Sequence, residues 1–294
     1  SYLSSVSDDI IRKTYKNFDT TSNVEDLSKS DVIIICVPTP INETTKIPIL
    51  KHVKEVILKL EKINLTKKII IFECTSYPGT TEEIFIPFAK RKKNEIGENI
   101  FLGYSPERED PGNKKYSLEK KNIPKIISGK TNKCQELTSL VYKQITNKLV
   151  TVSNIKTAEF TKLLENIYRS INIGFVNEMK IVSDKLKVDI YETIKAASTK
   201  PFGFVPFYPG PGLGGHCIPI DPFLLSWKAK KIKTNTRFIE LSGNINNYMP
   251  RYAVNKFQKL FRSNKKKIKN SKILILGVSY KKDSADTRET PSIK

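Results

Sequence analysis

The sequence predicts an α/β protein: a parallel sheet covered by helices, then a helical region, then the opening of another α/β unit. Two observations carry this. Short β-branched runs alternate with stretches of helical apolar spacing through the first half of the chain, and beyond Val152 long helical segments take over. Strand–helix–strand alternation calls for crossovers, which make the strands parallel and put helices on both faces.

The strand candidates are residues 31–37, 68–74, 99–104, 125–128 and 148–152, each dominated by Ile, Val, Leu or Phe. Between them 50–63, 80–90 and 133–146 have helical spacing, with Pro87 expected to kink or shorten the middle one. Ligands of such sheets sit beyond the carboxyl ends of the strands. Those ends are residues 37–40, 73–79 and 104–107. A long helix free of proline is expected from 155 to about 185, with Ala158, Leu163, Ile167, Ile171 and Val176 on its apolar surface. Shorter helices are expected around 190–197 and within 238–261. A charged linker, 262–270, leads to a last strand, 272–278, which opens a third unit. No solenoid-length repeat is present.

At 294 residues the chain is long enough for two modest domains with real cores. Lys and Arg outnumber Asp and Glu by 51 to 30, a net charge of +21. The basic residues are scattered in short runs without interleaved aromatics, which argues against a nucleic-acid module and suits a phosphate-bearing substrate. No apolar run is long enough to span a membrane and no signal peptide is visible. Cys36, Cys74, Cys134 and Cys217 contain no C-x-x-C pair and only His52 and His216 accompany them, so neither a zinc ribbon nor a disulfide framework is expected. The expected setting is reducing and cytoplasmic, with no metal.

One loop stands out. Residues 210–223 contain Gly210, Gly212, Gly214 and Gly215, then His216, Cys217 and, four residues on, Asp221. Glycines allow positive φ and close approach to a ligand, and a thiol on a tight turn beside a carboxylate suits covalent catalysis. A surface loop with an ordinary cysteine is the alternative. The same glycines satisfy G-x-G-x-x-G, but the proline-rich lead-in forbids the preceding strand that a dinucleotide loop requires. On the long helix Lys162 and Asn166 share a face and together suit oxyanion stabilisation; a solvated polar face is the other reading. Glu107 and Thr75 place a carboxylate and a hydroxyl at strand ends.

The stretches Val37-Pro38-Thr39-Pro40, 104–112, Lys162–Asn166, 210–223, 277–283 and 286–292 resemble, in order, the nucleotide-sugar 6-dehydrogenase (UDP-glucose/GDP-mannose dehydrogenase) family, most closely its UDP-N-acetylglucosamine 6-dehydrogenases. The resemblance implies a Rossmann-like NAD-binding domain at 1–153 lacking its first βαβ unit, a central helical dimerisation and catalytic domain at 154–262, and at 271–294 the start of a second Rossmann-like, UDP-binding domain. It implies a four-electron oxidation of the sugar C6 alcohol to a carboxylate with NAD, for surface polysaccharide synthesis, by a homodimer.

By the same resemblance Cys217 is the nucleophile, Lys162 and Asn166 stabilise the oxyanion, Asp221 and Thr75 handle proton and water, and Glu107 is an active-site carboxylate. Pro38, Thr39, Thr75 and Arg288 would line the cofactor. Glu107, Arg108, Lys162, Asn166, Gly214, Arg237 and Lys281 would contact the UDP-sugar. Three features depart from the family pattern: the glycine-rich loop, expected before Ser1, is absent; Pro111 stands where some relatives have a second Glu; Ala285 and Thr290 replace a usual Asp and Ser. The rivals are a sibling acting on UDP-glucose or UDP-N-acetylmannosamine and an inactive truncated nucleotide-sugar-binding product.

Overall fold

The structure, a computed structural model, describes residues 8–110, 122–215, 217–280 and 287–293. The chain divides into two compact units, Ser1–Leu164 and Glu165–Lys294.

After α1 (Asp8–Thr14), the first unit builds one sheet from β1 (Val32–Ile35), β2 (Ile69–Phe72), β3 (Phe101–Tyr104), β4 (Lys125–Gly129) and β5 (Leu149–Thr151), in that spatial order. Its helices are α2 (Lys51–Leu60), α3 (Thr80–Arg91) and α4 (Asn132–Lys143). Side chains alternate across the strands as the two-residue period requires. Ile33, Ile35, Ile70, Phe72, Leu102 and Tyr104 join α2 and α3 in one core cluster. Ile71 and Ile127 pack with Tyr142 of α4 in another. Helices therefore cover both faces, as expected.

The sheet is not wholly parallel. β1, β2 and β3 run parallel, but β4 pairs antiparallel with β3, and β5 is parallel to β4. Between β3 and β4 no helix occurs among the described residues. A parallel strand needs a crossover to carry the chain back to its starting edge; β4, being antiparallel, instead begins at the edge where β3 leaves. α3 also departs from expectation by running through Pro87 to Arg91. A mid-helix proline costs ~3 kcal/mol, while burying a phenylalanine contributes ~1.5–3 kcal/mol. Phe85 and Phe88, both 0% exposed and in edge contact at 5.4 Å, outweigh the break.

The second unit holds most of α5 (Ile155–Leu186), then α6 (Ile190–Ala197), α7 (Asp221–Lys231) and α8 (Arg237–Ser263). Asp189 caps α6 by accepting from the Tyr191 N–H at 2.8 Å. α7, which sequence patterning passed over, has Pro222 in its first turn, where the missing N–H costs nothing. α5 and α8 are bonded through buried amides: Asn177 Nδ2 donates to Asn246 Oδ1 at 2.9 Å, and Asn246 Nδ2 to the Ser170 carbonyl at 3.1 Å. The strand expected at 272–278 does not form. No described strand lies beside it to complete a ladder, and Leu274 and Leu276 stay 83% and 86% exposed. No helix of the described residues is long and apolar enough to cross a membrane.

Candidate active site

In the first unit, Ile35, Phe72 and Tyr104 lie on one row of the sheet. The chain therefore leaves β1, β2 and β3 at a common edge, and Thr39, Thr75 and Glu107 follow within a few residues. Cys74 ties these exits together: its thiol donates to the Ile35 carbonyl at 3.1 Å and accepts from the Val37 N–H at 3.3 Å. Its own carbonyl accepts from the Tyr104 hydroxyl at 3.1 Å. Burial pushes the Cys74 thiol up to about 11, which suits a fastening rather than a nucleophile.

Thr39 is buried, and its hydroxyl has no hydrogen-bond partner among the described residues. Such a group costs ~1–3 kcal/mol, and at the carboxyl edge of a sheet it is positioned to receive a ligand's polar group. This fits the expected cofactor. Neighbouring Pro38 is exposed and Thr75 is half-buried.

Glu107 is held more tightly than its loop position suggests. Its Oε1 accepts the N–H groups of Arg108 and Glu109, both at 2.6 Å, and its Oε2 lies 3.0 Å from the Lys125 ammonium. Burial pushes the carboxyl up, but Lys125 and the two amides outweigh it and hold Glu107 below the ordinary carboxylate range. Arg108 donates to the Pro124 carbonyl at 2.7 Å, joining the two ends of the segment between β3 and β4.

In the second unit the glycine loop packs on Tyr280. Gly215 has φ +86°, and a Cβ there would lie 2.7 Å from the Tyr280 ring; one on Gly214 would overlap the same side chain. The Gly215 N–H donates to the Arg288 carbonyl at 3.0 Å. Residues 201–215 form no strand, and the next helix begins only at Asp221, so this is no dinucleotide loop. The exposed Cys217 ends the run. Its carbonyl accepts from Ile220 and Asp221 N–H groups at 3.1 and 2.8 Å, setting the thiol on the turn that enters α7.

Asp221, the first residue of α7, accepts from Asn166 Nδ2 at 2.5 Å, and both are buried. Lys162 lies one turn before Asn166 on α5 and is half-buried. Arg237 opens α8 and is exposed, as is Arg288. Lys281, His216, Pro111 and Ala285 lie outside the described residues. Thr290 is buried, its hydroxyl donating to the Val278 carbonyl at 2.6 Å.

Three polar residues were missed by sequence reasoning. The buried Lys125 and the partly buried Glu73 form an ion pair at 2.9 Å; the only sequence signal was a lysine opening an otherwise apolar strand. Glu159 of α5 is 1% exposed and receives the Gly79 N–H and the Thr81 N–H and hydroxyl, the last two at 2.9 and 2.7 Å. It thereby caps α3 from another helix. Burial pushes its carboxyl up to about 7, against the pull of those three donors.

Comparison with known proteins converges on one family. Residues 5–146 match the NAD binding domain, and residues 156–248 the central domain, of the UDP-glucose/GDP-mannose dehydrogenase family. Protein CapL of Staphylococcus aureus is 37% identical over 282 residues, covering 94% of this chain and 65% of that protein. A UDP-N-acetyl-D-glucosamine 6-dehydrogenase of Pseudomonas aeruginosa is 36% identical over 272 residues, covering 92% and 63%. The chain thus spans just under two thirds of the curated relatives it matches. Among solved structures, a UDP-D-ManNAc dehydrogenase of Pyrococcus horikoshii superposes with a TM-score of 0.89 at 29% identity, covering 100% of this chain and 70% of that one.

Proposed function

The chain belongs to the UDP-glucose/GDP-mannose dehydrogenase family, and on that premise we propose that it carries out the NAD-dependent oxidation of the C6 alcohol of a UDP-N-acetylhexosamine to the uronic acid. UDP-N-acetylglucosamine is the proposed sugar. Support comes from the 36% identity to the P. aeruginosa enzyme named for that substrate and from the Ser105–Gly112 and Gly210–Phe223 stretches. UDP-N-acetylmannosamine is the second reading, favoured by the superposition on the P. horikoshii protein. We assign residues 1–153 to cofactor binding, 154–262 to the central domain and 271–294 to the start of the nucleotide-sugar domain.

The single observation that carries the chemistry is the buried Asn166–Asp221 pair at the turn presenting Cys217. NAD, when bound, accepts a hydride in each of two oxidations; Thr39, Pro38, Thr75 and Arg288 are the residues assigned to hold it. Cys217, as thiolate, adds to the C6 aldehyde to give a thiohemiacetal. Loss of hydride from that carbon leaves a thioester, and water expels the thiolate to give the carboxylate. The Asn166 amide and Lys162 ammonium offset the charge on the tetrahedral oxygen. Asp221 and Thr75 take up and relay the protons, and Glu107 is the carboxylate at the sheet edge. Arg108, Gly214, Arg237 and Lys281 are assigned to the UDP-sugar.

A homodimer in the cytoplasm, serving surface polysaccharide synthesis, completes the proposal. Tyr168, Phe175 and Val182 recur at seven-residue intervals along α5 and are 51%, 57% and 43% exposed, a stripe suited to helix–helix pairing. All four cysteines are free, which suits a reducing compartment.

The test is the NADH formed per UDP-N-acetylglucosamine consumed by the product of the complete reading frame, with UDP-N-acetylmannosamine and UDP-glucose in parallel. Two NADH per sugar, abolished by Cys217→Ala, is expected. One NADH per sugar, or an undiminished Cys217→Ala variant, would overturn the thioester route.

A further inference from the structure

Lys125 is 2% exposed, and lysine is rarely so buried without a purpose. The sheet reversal brings it to the exit edge: β4 runs against β3, so its first residue lies beside the loop that follows Tyr104. There the ammonium stands 2.9 Å from Glu73 Oε1 and 3.0 Å from Glu107 Oε2. Glu73 is fastened in turn. The Tyr142 hydroxyl of α4 donates to its Oε1 at 2.5 Å, and the Cys36 thiol to its Oε2 at 3.3 Å. The Tyr142 ring also lies under the ammonium, 5.2 Å away.

The two carboxylates differ in setting. The Glu73 side chain is 15% exposed and that of Glu107 43%. The inner carboxylate neutralises the lysine, and the outer one is presented at the edge where Thr39 and Thr75 also lie. Nothing in packing alone requires this. A lysine with a single buried partner would be neutralised without reaching the loop, and an apolar residue of similar length would stabilise the strand as well or better. The spare contact is spent on Glu107.

We propose that Lys125 is a positioning residue for the oxidation, its buried ammonium bridging Glu73 and Glu107 so that the Glu107 carboxylate is held in one place and as an anion. This rests on the reading of Glu107 as an active-site carboxylate. Among the described residues the groups facing the bridge are Glu73 just after β2, Tyr142 of α4 and Cys36 just after β1, with the backbone amides of Arg108 and Glu109 on the loop side. Among these side chains Lys125 carries the positive charge, so its loss takes the paired ammonium from both carboxylates. Burial and the nearby Glu73 push the Cys36 thiol up to about 12, and burial also drives the Tyr142 phenol upward. Both stay neutral donors when Glu107 titrates.

The experiment uses the product of the complete reading frame and three variants: Lys125→Met, Lys125→Arg, and the double variant Lys125→Met/Glu73→Gln, which removes both buried charges together should the single change fail to fold. The Glu107 carboxyl is titrated by carbon NMR, its resonance assigned through Glu107→Gln, and kcat and KM are measured against pH. Removing Lys125 is expected to raise the Glu107 midpoint by about one pH unit or more. The acid limb of kcat moves upward with it while KM for the sugar changes less than about twofold, and Lys125→Arg restores most of both. An active, folded variant without Lys125 whose Glu107 midpoint and acid limb are unmoved would overturn the inference alone. A wild type that forms no NADH from any UDP-sugar would overturn the functional reading and the inference with it.

Discussion

Asn166 and Asp221 meet through a 2.5 Å hydrogen bond inside the second unit, both nearly inaccessible to water. Exchanging the amide for a carboxylate tests how strongly the pair is held. Asn166→Asp puts two carboxylates at hydrogen-bond distance, where they retain a shared proton well above the normal range. The variant's folded state then binds more protons than its unfolded chain, so its stability falls as pH rises from about 4 toward 7, by ~2–4 kcal/mol. Urea unfolding across that range measures it; a loss equal at every pH would contradict the shared-proton account.

Glu159 makes a second pH prediction, in the unsubstituted chain. Its folded carboxyl lies at about 7, above the ordinary 4.5. A raised carboxyl binds more protons folded than unfolded, so stability is highest below about 4.5 and declines as pH rises through 7, by up to about 3 kcal/mol. Glu159→Gln removes that slope, although it leaves one of the Gly79 and Thr81 donors facing an amide N–H. Parallel slopes for wild type and variant between pH 5 and 8 would count against Glu159 as the source.

Gly215→Ala joins a strained φ of +86° to a Cβ 2.7 Å from the Tyr280 ring. The expected local cost is ~1–3 kcal/mol. Its signature is faster amide exchange across 210–220 and at least a tenfold loss of kcat, since Cys217 hangs from this loop. Helix exchange elsewhere in the unit should be unchanged. Exchange that rises uniformly would point to global destabilisation instead.

The expected dimer is open to a single charge. Phe175 of α5 and Leu241 of α8 are 57% and 55% exposed. Phe175→Glu or Leu241→Glu should shift the mass found by light scattering from two copies to one at micromolar concentration, at a cost below about 1 kcal/mol to the isolated chain because neither side chain is in its core. An unchanged mass would remove these helices from the interface.

What the sequence disclosed follows from the range over which its signals act. The strands at 31–37 and 68–74 and the helix from 155 announced themselves because β-branching and apolar spacing are local. The direction of β4 was hidden: a five-residue strand reads alike both ways, and only its pairing with β3 in the fold shows it to be antiparallel. The polar partners were hidden for the same reason. Lys125 meets Glu107 across 18 positions, Tyr142 meets Glu73 across 69, and Glu159 meets Gly79 across 80. Pro87 misled in the opposite sense, since a local rule gave way to a core of phenylalanines. The Cys217 loop and the Lys162–Asn166 spacing were visible as motifs, whereas the role of Asn166 as donor to Asp221 required the fold.

The reversal of β4 sorts its five residues into two kinds of sensitivity. Lys125 begins the strand beside the proposed chemistry, so variation there is felt by turnover. Gly129 ends it inside the sheet beside Gly103 of β3, where any side chain would run into the backbone of Cys134 and Gln135, so variation there is felt by yield and solubility. A mutational scan scored separately for abundance and for product would therefore change colour along a single strand, within ~13 Å, with Ile126 and Ile127 intolerant on the abundance map alone.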